Sequence, residues 1–252
     1  MAAAKIIVKN LKKSFGTKEV LKGVDFEVQE KESFVILGGS GTGKSVLIKC
    51  IIGLLLPDPG SQVIIDGKDI TFLPMSQRED VMAKVGVLFQ GGALFDSLLV
   101  WENIAFGLLQ RRKITFSQAK EIVAEKLKLV KLGTEVMSLY PVELSGGMQK
   151  RVALARAIAA DPEIIFFDEP TAGLDPITSE AISELIAECS KKLGTTTITI
   201  THDMRCARTI ADKAAMISEG KFIWTGDGKD LDNPKHPAVA QFVFGGKKRA
   251  VA

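Results

Sequence analysis

The chain has 252 residues, 46% of them hydrophobic and 25% charged, with a formal net charge of +3. That is enough apolar material for a large core, built as one α/β domain or as two tightly joined lobes, and too mild a basic balance, with no basic stripe, to predict a nucleic-acid partner. The longest apolar runs, such as Ile51 to Leu56, fall far short of the roughly 20 residues that span a bilayer, so the chain is not expected to cross a membrane alone.

Taken in chain order, the predicted elements alternate. Lys5 interrupts what would have to be an apolar signal core in "MAAAKIIVKN", so secretion is not expected. "KIIVKNLKKSF" and "LKGVDFEV" follow the two-residue strand period, and "SFVILGG" is a continuous apolar run suited to a strand buried on both faces. "GKSVLIKCIIGLL" then reads as a helix, and "QVIIDGKDI" as two short strands around an Asp66-Gly67 turn. After the strand "KVGVLFQ", helical patterns over 100–110, 117–132 and 147–160 have no strand between them, which predicts an inserted helical lobe. Alternation resumes with "EIIFFDEP", a helix over 176–193, and "TTTITITHD". "AAMISEG" and "KFIWTGD" read as a closing hairpin and "PAVAQFVFG" as a short terminal helix. Cys50, Cys189 and Cys206 show no paired ligand or disulfide spacing and read as buried thiols in a reducing cytoplasm.

"GGSGTGKS", Gly38, Gly39, Ser40, Gly41, Thr42, Gly43, Lys44 and Ser45, has the phosphate-loop spacing and lies where the mechanism needs it, between a buried strand and a helix. The glycines let backbone N–H groups turn inward around phosphate oxygens, and the helix N-terminus adds its partial positive charge. Lys44 is the cation for the β- and γ-phosphates and Ser45 a hydroxyl ligand for Mg²⁺. The rival reading is a glycine-rich turn with no ligand. "IIFFDEP" delivers Asp168 and Glu169 at the C-terminal end of a buried strand, the edge where open α/β sheets bind ligands. With the P-loop expected on the neighbouring strand, Asp168 becomes the Mg²⁺ carboxylate. Glu169 is then the base that accepts a proton from, or orients, the attacking water. Gln90 and His202 close two further strands at the same edge. They are predicted to serve the Mg²⁺ shell or lytic water and the γ-phosphate respectively.

A second cradle lies downstream. In "LSGGMQKR", Ser145, Gly146 and Gly147 precede a helical pattern and would form another N-terminal anion site. One nucleotide does not need two cradles from one chain. Two copies meeting head to tail, the Ser-Gly-Gly of each covering the ATP in the other's P-loop, satisfy this with two-fold symmetry.

"LSGGMQKR" with "GGSGTGKS", "FFDEPTAGLD", Gln90 and "THD" resembles the ATP-binding subunits of ABC transporters over nearly the whole chain. The resemblance implies a P-loop NTPase (RecA-like) core with an antiparallel β subdomain and an inserted α-helical signature subdomain: core and β subdomain over 1–92 and 159–230, helical subdomain over 93–158, and a C-terminal helix and tail over 231–252. It implies ATP and Mg²⁺ as ligands, adenine stacked on Phe15, a site-to-site communicating role for Asp175, and permease docking on the helical lobe. Two residues depart from the usual pattern: Met148 stands where glutamine is common, and Val46 where many P-loops place a second hydroxyl. "VGVLFQGGALFDSLLVWENIAFGL", "YPVELSGGM" and "THDMRCARTIADKAAMI" resemble the Mce-associated ATPases of the Mla branch. That likeness implies a peripheral protein at the cytoplasmic face of the inner membrane, driving phospholipid movement with an MlaE-like permease, an MlaD-like MCE protein and an MlaB-like STAS protein. The alternatives are a solute importer or lipoprotein exporter subunit, and a non-transport ABC ATPase. Lys247, Lys248 and Arg249 read as a solvated basic tail, with an anionic membrane surface as the rival.

Overall fold

The computed structural model describes residues 4–111 and 114–244; the basic tail lies outside them. The first two strands, β1 (Ala4–Phe15) and β2 (Lys18–Gln29), are an antiparallel hairpin whose turn uses Gly16 at φ 59°. Val24, Phe26 and Val28 on β2 alternate inward with Asp25 and Glu27 outward, and Ile6 and Val8 on β1 are buried two residues apart, as the period of two requires. The parallel core begins with β3 (Ser33–Leu37). Next, β4 (Gln62–Ile65) and β5 (Lys68–Asp69) are joined by Asp66 and Gly67, both at positive φ, and add to the hairpin in the order β2-β1-β4-β5.

The remaining strands are β6 (Val85–Leu88), β7 (Ile164–Asp168), β8 (Thr196–Thr201), β9 (Lys213–Ser218) and β10 (Lys221–Asp227). With β3 they form a six-stranded sheet in the order β10-β9-β3-β8-β7-β6, parallel except for β10. Its order corrects one expectation: the P-loop strand β3 and the carboxylate strand β7 are not neighbours, because β8 runs between them. The register still brings their ends level, with Leu37 opposite Thr201 and Asp168 opposite Ile200.

Period two along the strands sorts their side chains into two cores. Phe34, Ile36, Ile164 and Phe166 face the antiparallel sheet and α1 (Lys44–Ile51), where Phe26 stacks on Phe34 at 5.2 Å. Val35, Leu37, Ile165 and Phe167 face the helical side, built by α3 (Val100–Arg111), α4 (Phe116–Leu129), α5 (Gly146–Ala157), α6 (Pro176–Leu193) and α7 (Met204–Ile210). The remaining helices are α2 (Met75–Met82) and the terminal α8 (Pro237–Phe244). Local chemistry sets several ends. Thr115 and Gln118 form a capping box on α4, and Asp175 and Asp203 cap α6 and α7. Gly194 closes α6 in the left-handed conformation. Helix α1 stops at Ile51, short of the expected "GLL", because Gly53 turns at φ 78° beside Arg78 of α2. All three cysteines are free and buried, and burial pushes the Cys50 and Cys206 thiols up to about 11. No helix among the described residues is long and apolar enough to cross a membrane.

Candidate active site

Strand β3 ends at Leu37 and the chain turns through Gly38 to Gly43 into α1. Gly41 and Gly43 hold φ 78° and 103°, values that L side chains rarely adopt. A Cβ on Gly38 would stand 2.7 Å from the Ile217 carbonyl of β9. No side chain caps α1 at Gly43, so its N-terminus presents amide dipoles to an anion. The buried Lys44 ammonium folds back into the loop, donating to the Gly38 and Gly39 carbonyls at 2.7 and 2.9 Å, and lies 3.3 Å from Glu169 Oε1.

Ser45, one residue further, donates its hydroxyl to Asp168 Oδ1 at 3.1 Å, so α1 reaches across β8 to the end of β7. Burial pushes the Asp168 carboxyl above its usual range; the Ser45 bond pulls it back and neighbouring Glu169 pushes it further up. One hydroxyl and one buried carboxylate are hard oxygen donors, and the carboxylate would gain from a cation. Among the described residues no group of three or more His, Cys, Asp or Glu could hold a metal. That donor pair fits Mg²⁺, which takes few protein ligands and completes its shell with water and phosphate.

Glu169 follows at φ 49°, a left-handed geometry costing on the order of 1–3 kcal/mol for a residue with a Cβ. Its amide donates to the Ile200 carbonyl of β8 at 2.9 Å. Its Oε2 accepts the His202 backbone N–H at 3.3 Å and lies 2.8 Å from His202 Nδ1. The imidazole is largely exposed at the mouth of the site.

Strand β6 ends at Leu88, so Gln90 does not close it; it sits two residues on, inside a turn in which Gly92 N–H donates to the Phe89 carbonyl at 2.8 Å. Two cations of α5 hold that turn. Lys150 donates to the Gln90 carbonyl, and Arg156 donates to the Gly92 and Ala93 carbonyls at 2.6 and 2.7 Å. Burial pushes the Lys150 ammonium below its usual value, while the charges of Asp168 and Glu169 pull it back up.

Gly39, Ser40, Gly41, Gly43, Lys44, Ser45, Val46, Gln90, Glu169 and His202 line one cleft of ≈ 510 Å³. Val20 of β2 and Phe242 of α8 complete its wall. Gly38, Thr42 and Asp168 are not part of the lining; Thr42 donates to the Gly39 carbonyl at 3.0 Å and shapes the loop from behind. Phe15 is not in the lining either: its ring is 48% exposed at the β1–β2 turn with Lys13 Nζ 5.3 Å from its centroid. Phe242, Lys150 and Arg156 went unnoticed in the sequence. The only signal for the two cations was basic residues inside an otherwise apolar helix.

The second cradle stands apart. Ser145 caps α5, its Oγ accepting the Met148 N–H at 3.3 Å. Gly147 packs so close to α6 that a Cβ there would stand 2.8 Å from Thr178 Cγ2. Asp175 accepts the Ile177 and Thr178 N–H groups, each at 3.0 Å. Ser145, Gly146, Gly147 and Asp175 line a separate cleft, flanked by Lys131 and Arg151, that shares no lining residue with the first.

Residues 21–172 match the family model described as ABC transporter. A probable ribonucleotide transport ATP-binding protein, mkl of Mycobacterium leprae, is 41% identical over 95% of this chain and 69% of its own length. The intermembrane phospholipid transport system ATP-binding protein MlaF of Haemophilus influenzae is 38% identical over 95% of this chain and 90% of its own. Among solved structures, the dimeric post-hydrolysis state of the ATP-binding cassette MJ0796 bound to ADP and Pi superposes with a TM-score of 0.80 at 30% identity, covering 88% of this chain and 98% of that one.

Proposed function

This chain belongs to the ABC transporter family and hydrolyses ATP with Mg²⁺, and from that premise we propose that two copies close head to tail on two ATP molecules. Each ATP is gripped by the P-loop of one copy and the Ser145–Gly147 turn of the other. The observation carrying this reading is that the two cradles of a single chain line separate clefts. The dimer of the MJ0796 cassette supports it.

Within each composite site, the P-loop amides and Lys44 bind the β- and γ-phosphates, Lys44 exchanging its Gly38 and Gly39 carbonyl partners for phosphate oxygens. Ser45, Asp168 and Gln90 would hold Mg²⁺, which when bound neutralises charge on the phosphates. Glu169 is the general base for the attacking water, and His202 holds its carboxylate and reaches toward the γ-phosphate. Because both cradles grip one ATP only in the closed dimer, ATP shifts the population toward closure and hydrolysis releases it. An integral membrane permease takes up that motion.

The cargo reading is phospholipid transport between bacterial membranes, at the cytoplasmic face of the inner membrane with MlaE-, MlaD- and MlaB-like partners. Similarity to MlaF over most of both chains supports it. The name of mkl, similar at 41% identity, favours a solute as the second reading. Two experiments test these levels separately. Ser145→Arg is expected to lower ATP hydrolysis on the order of a hundredfold while leaving ATP affinity of the isolated chain within about twofold; unchanged hydrolysis removes the shared site. Purifying a tagged copy from native membranes is expected to bring down phospholipid and a lipid-binding MCE protein. A soluble solute receptor instead establishes the second reading.

A further inference from the structure

The signature helix α5 carries a lysine that the shared-site reading leaves without a role. Lys150 is 7% exposed, and its ammonium donates to the main-chain carbonyl of Gln90, a residue that lines the P-loop cleft. The turn it grips has one internal hydrogen bond, from the Gly92 N–H to the Phe89 carbonyl. Gln90 lies beyond the end of β6, out of the sheet's hydrogen-bond ladder, and the turn runs through Gly92 and Ala93 at φ 75° and 49°. Three of its carbonyls, those of Gln90, Gly92 and Ala93, are instead bonded by Lys150 and Arg156, both on α5. The N-terminus of that helix is the Ser145–Gly147 cradle. One rigid rod therefore has its end in one cleft and its flank tied to a wall of the other.

We infer that Lys150 is a positioning residue for Gln90, coupling the seating of a triphosphate on the Ser145 turn to the placement of Gln90 in the P-loop cleft that it shares with Ser45 in the same chain. The coupling rests on the head-to-tail reading. The ATP that seats on a chain's Ser145 turn is its partner's, so each nucleotide sets the geometry around the other. A simple structural role would need only bulk and a donor anywhere on the turn. Lys150 bonds the one carbonyl that belongs to the cleft-lining residue.

The test uses the full-length chain and three variants. Lys150→Met keeps the stem and removes the donor, Lys150→Gln shortens and neutralises it, and Lys150→Arg keeps a cationic donor. For Met and Gln, kcat is expected to fall tenfold or more, since misplacement near 1 Å costs on the order of a hundredfold. The Mg²⁺ concentration for half-maximal hydrolysis should rise, and the affinity for a fluorescent ATP analogue in the absence of Mg²⁺ should stay within about twofold. Arginine should recover most of the loss in kcat. Wild-type kcat and Mg²⁺ dependence in the Met and Gln variants would overturn the inference, as would an arginine variant as impaired as methionine. Ser145→Arg, run in parallel, separates the two readings. If it too hydrolyses ATP normally, the head-to-tail site has failed rather than the tie.

Discussion

The two ends of β7 put charge to opposite uses. At its start, Glu163 belongs to an exposed four-charge knot: Lys5 and Lys84 each bridge both Asp66 and Glu163, with Lys84 at 3.0 and 3.1 Å. Hydrogen bonds from Lys5, ahead of the opposing effect of burial, hold the Glu163 carboxyl below its usual range. Asp66 moves the same way although burial opposes it, because bonds from both lysines prevail. Five residues on, at the other end of the strand, burial instead pushes the Asp168 carboxyl up, and Glu169 is bent into a left-handed backbone. The first end is stabilised by folding. The second is a cost that folding carries, placed at the C-terminal sheet edge where ligands bind.

Glu169→Gln tests the costly end most severely. It should lower kcat by about 10²–10⁴-fold while sparing ATP binding, so that an ATP-bound dimer accumulates on size exclusion; turnover like wild type would remove Glu169 as the base. Asp168→Asn should likewise abolish Mg²⁺-dependent hydrolysis yet raise the thermal stability of the nucleotide-free chain, on the order of 1 kcal/mol. A lower melting temperature would mean that the buried carboxylate is not a cost. Glu163→Gln should do the reverse and more weakly, leaving hydrolysis intact and costing about half a kcal/mol after solvent screening, less in high salt.

The pH dependence sharpens the contrast because the signs differ. A carboxylate with a depressed folded pKa contributes stability above its unfolded value that is lost as pH falls through the folded one. One with a raised folded pKa costs stability at neutral pH, and that cost disappears on acidification. The effects of Glu163→Gln and Asp168→Asn, opposite in sign at pH 7, should therefore both shrink on acidification, Asp168→Asn as pH falls through the unfolded Asp value of about 3.9 and Glu163→Gln as pH falls through its depressed folded pKa. An Asp168→Asn effect that keeps its full size below that Asp value would have to come from packing rather than charge.

Most strands were legible because period two and turn chemistry are local. The Asp66-Gly67 hairpin and the fully buried β7 and β8 could be read from their own residues. Two helices were not. Helix α2 follows Pro74 and carries the polar run Ser76 to Asp80, with no apolar stripe, and α7 has only seven residues. Of the site, the glycine loop, the two carboxylates, His202 and the Ser145 turn were visible as motifs. The interposition of β8 was not, and neither was the place of Val20 and Phe242 in the cleft wall.

The sequence by itself determined the chemical parts: a phosphate loop that needs glycines in left-handed geometry, a strand that ends in carboxylates, and a capped helix that begins with two glycines. These follow from covalent geometry and from neighbours a few residues apart. Tertiary structure alone decided which parts meet. Strand order, the reach of Ser45 across β8 to Asp168 and the grip of Lys150 on Gln90 join residues 123 and 60 positions apart. Contacts at that separation arise from how the two cores pack against the sheet, which no local pattern encodes.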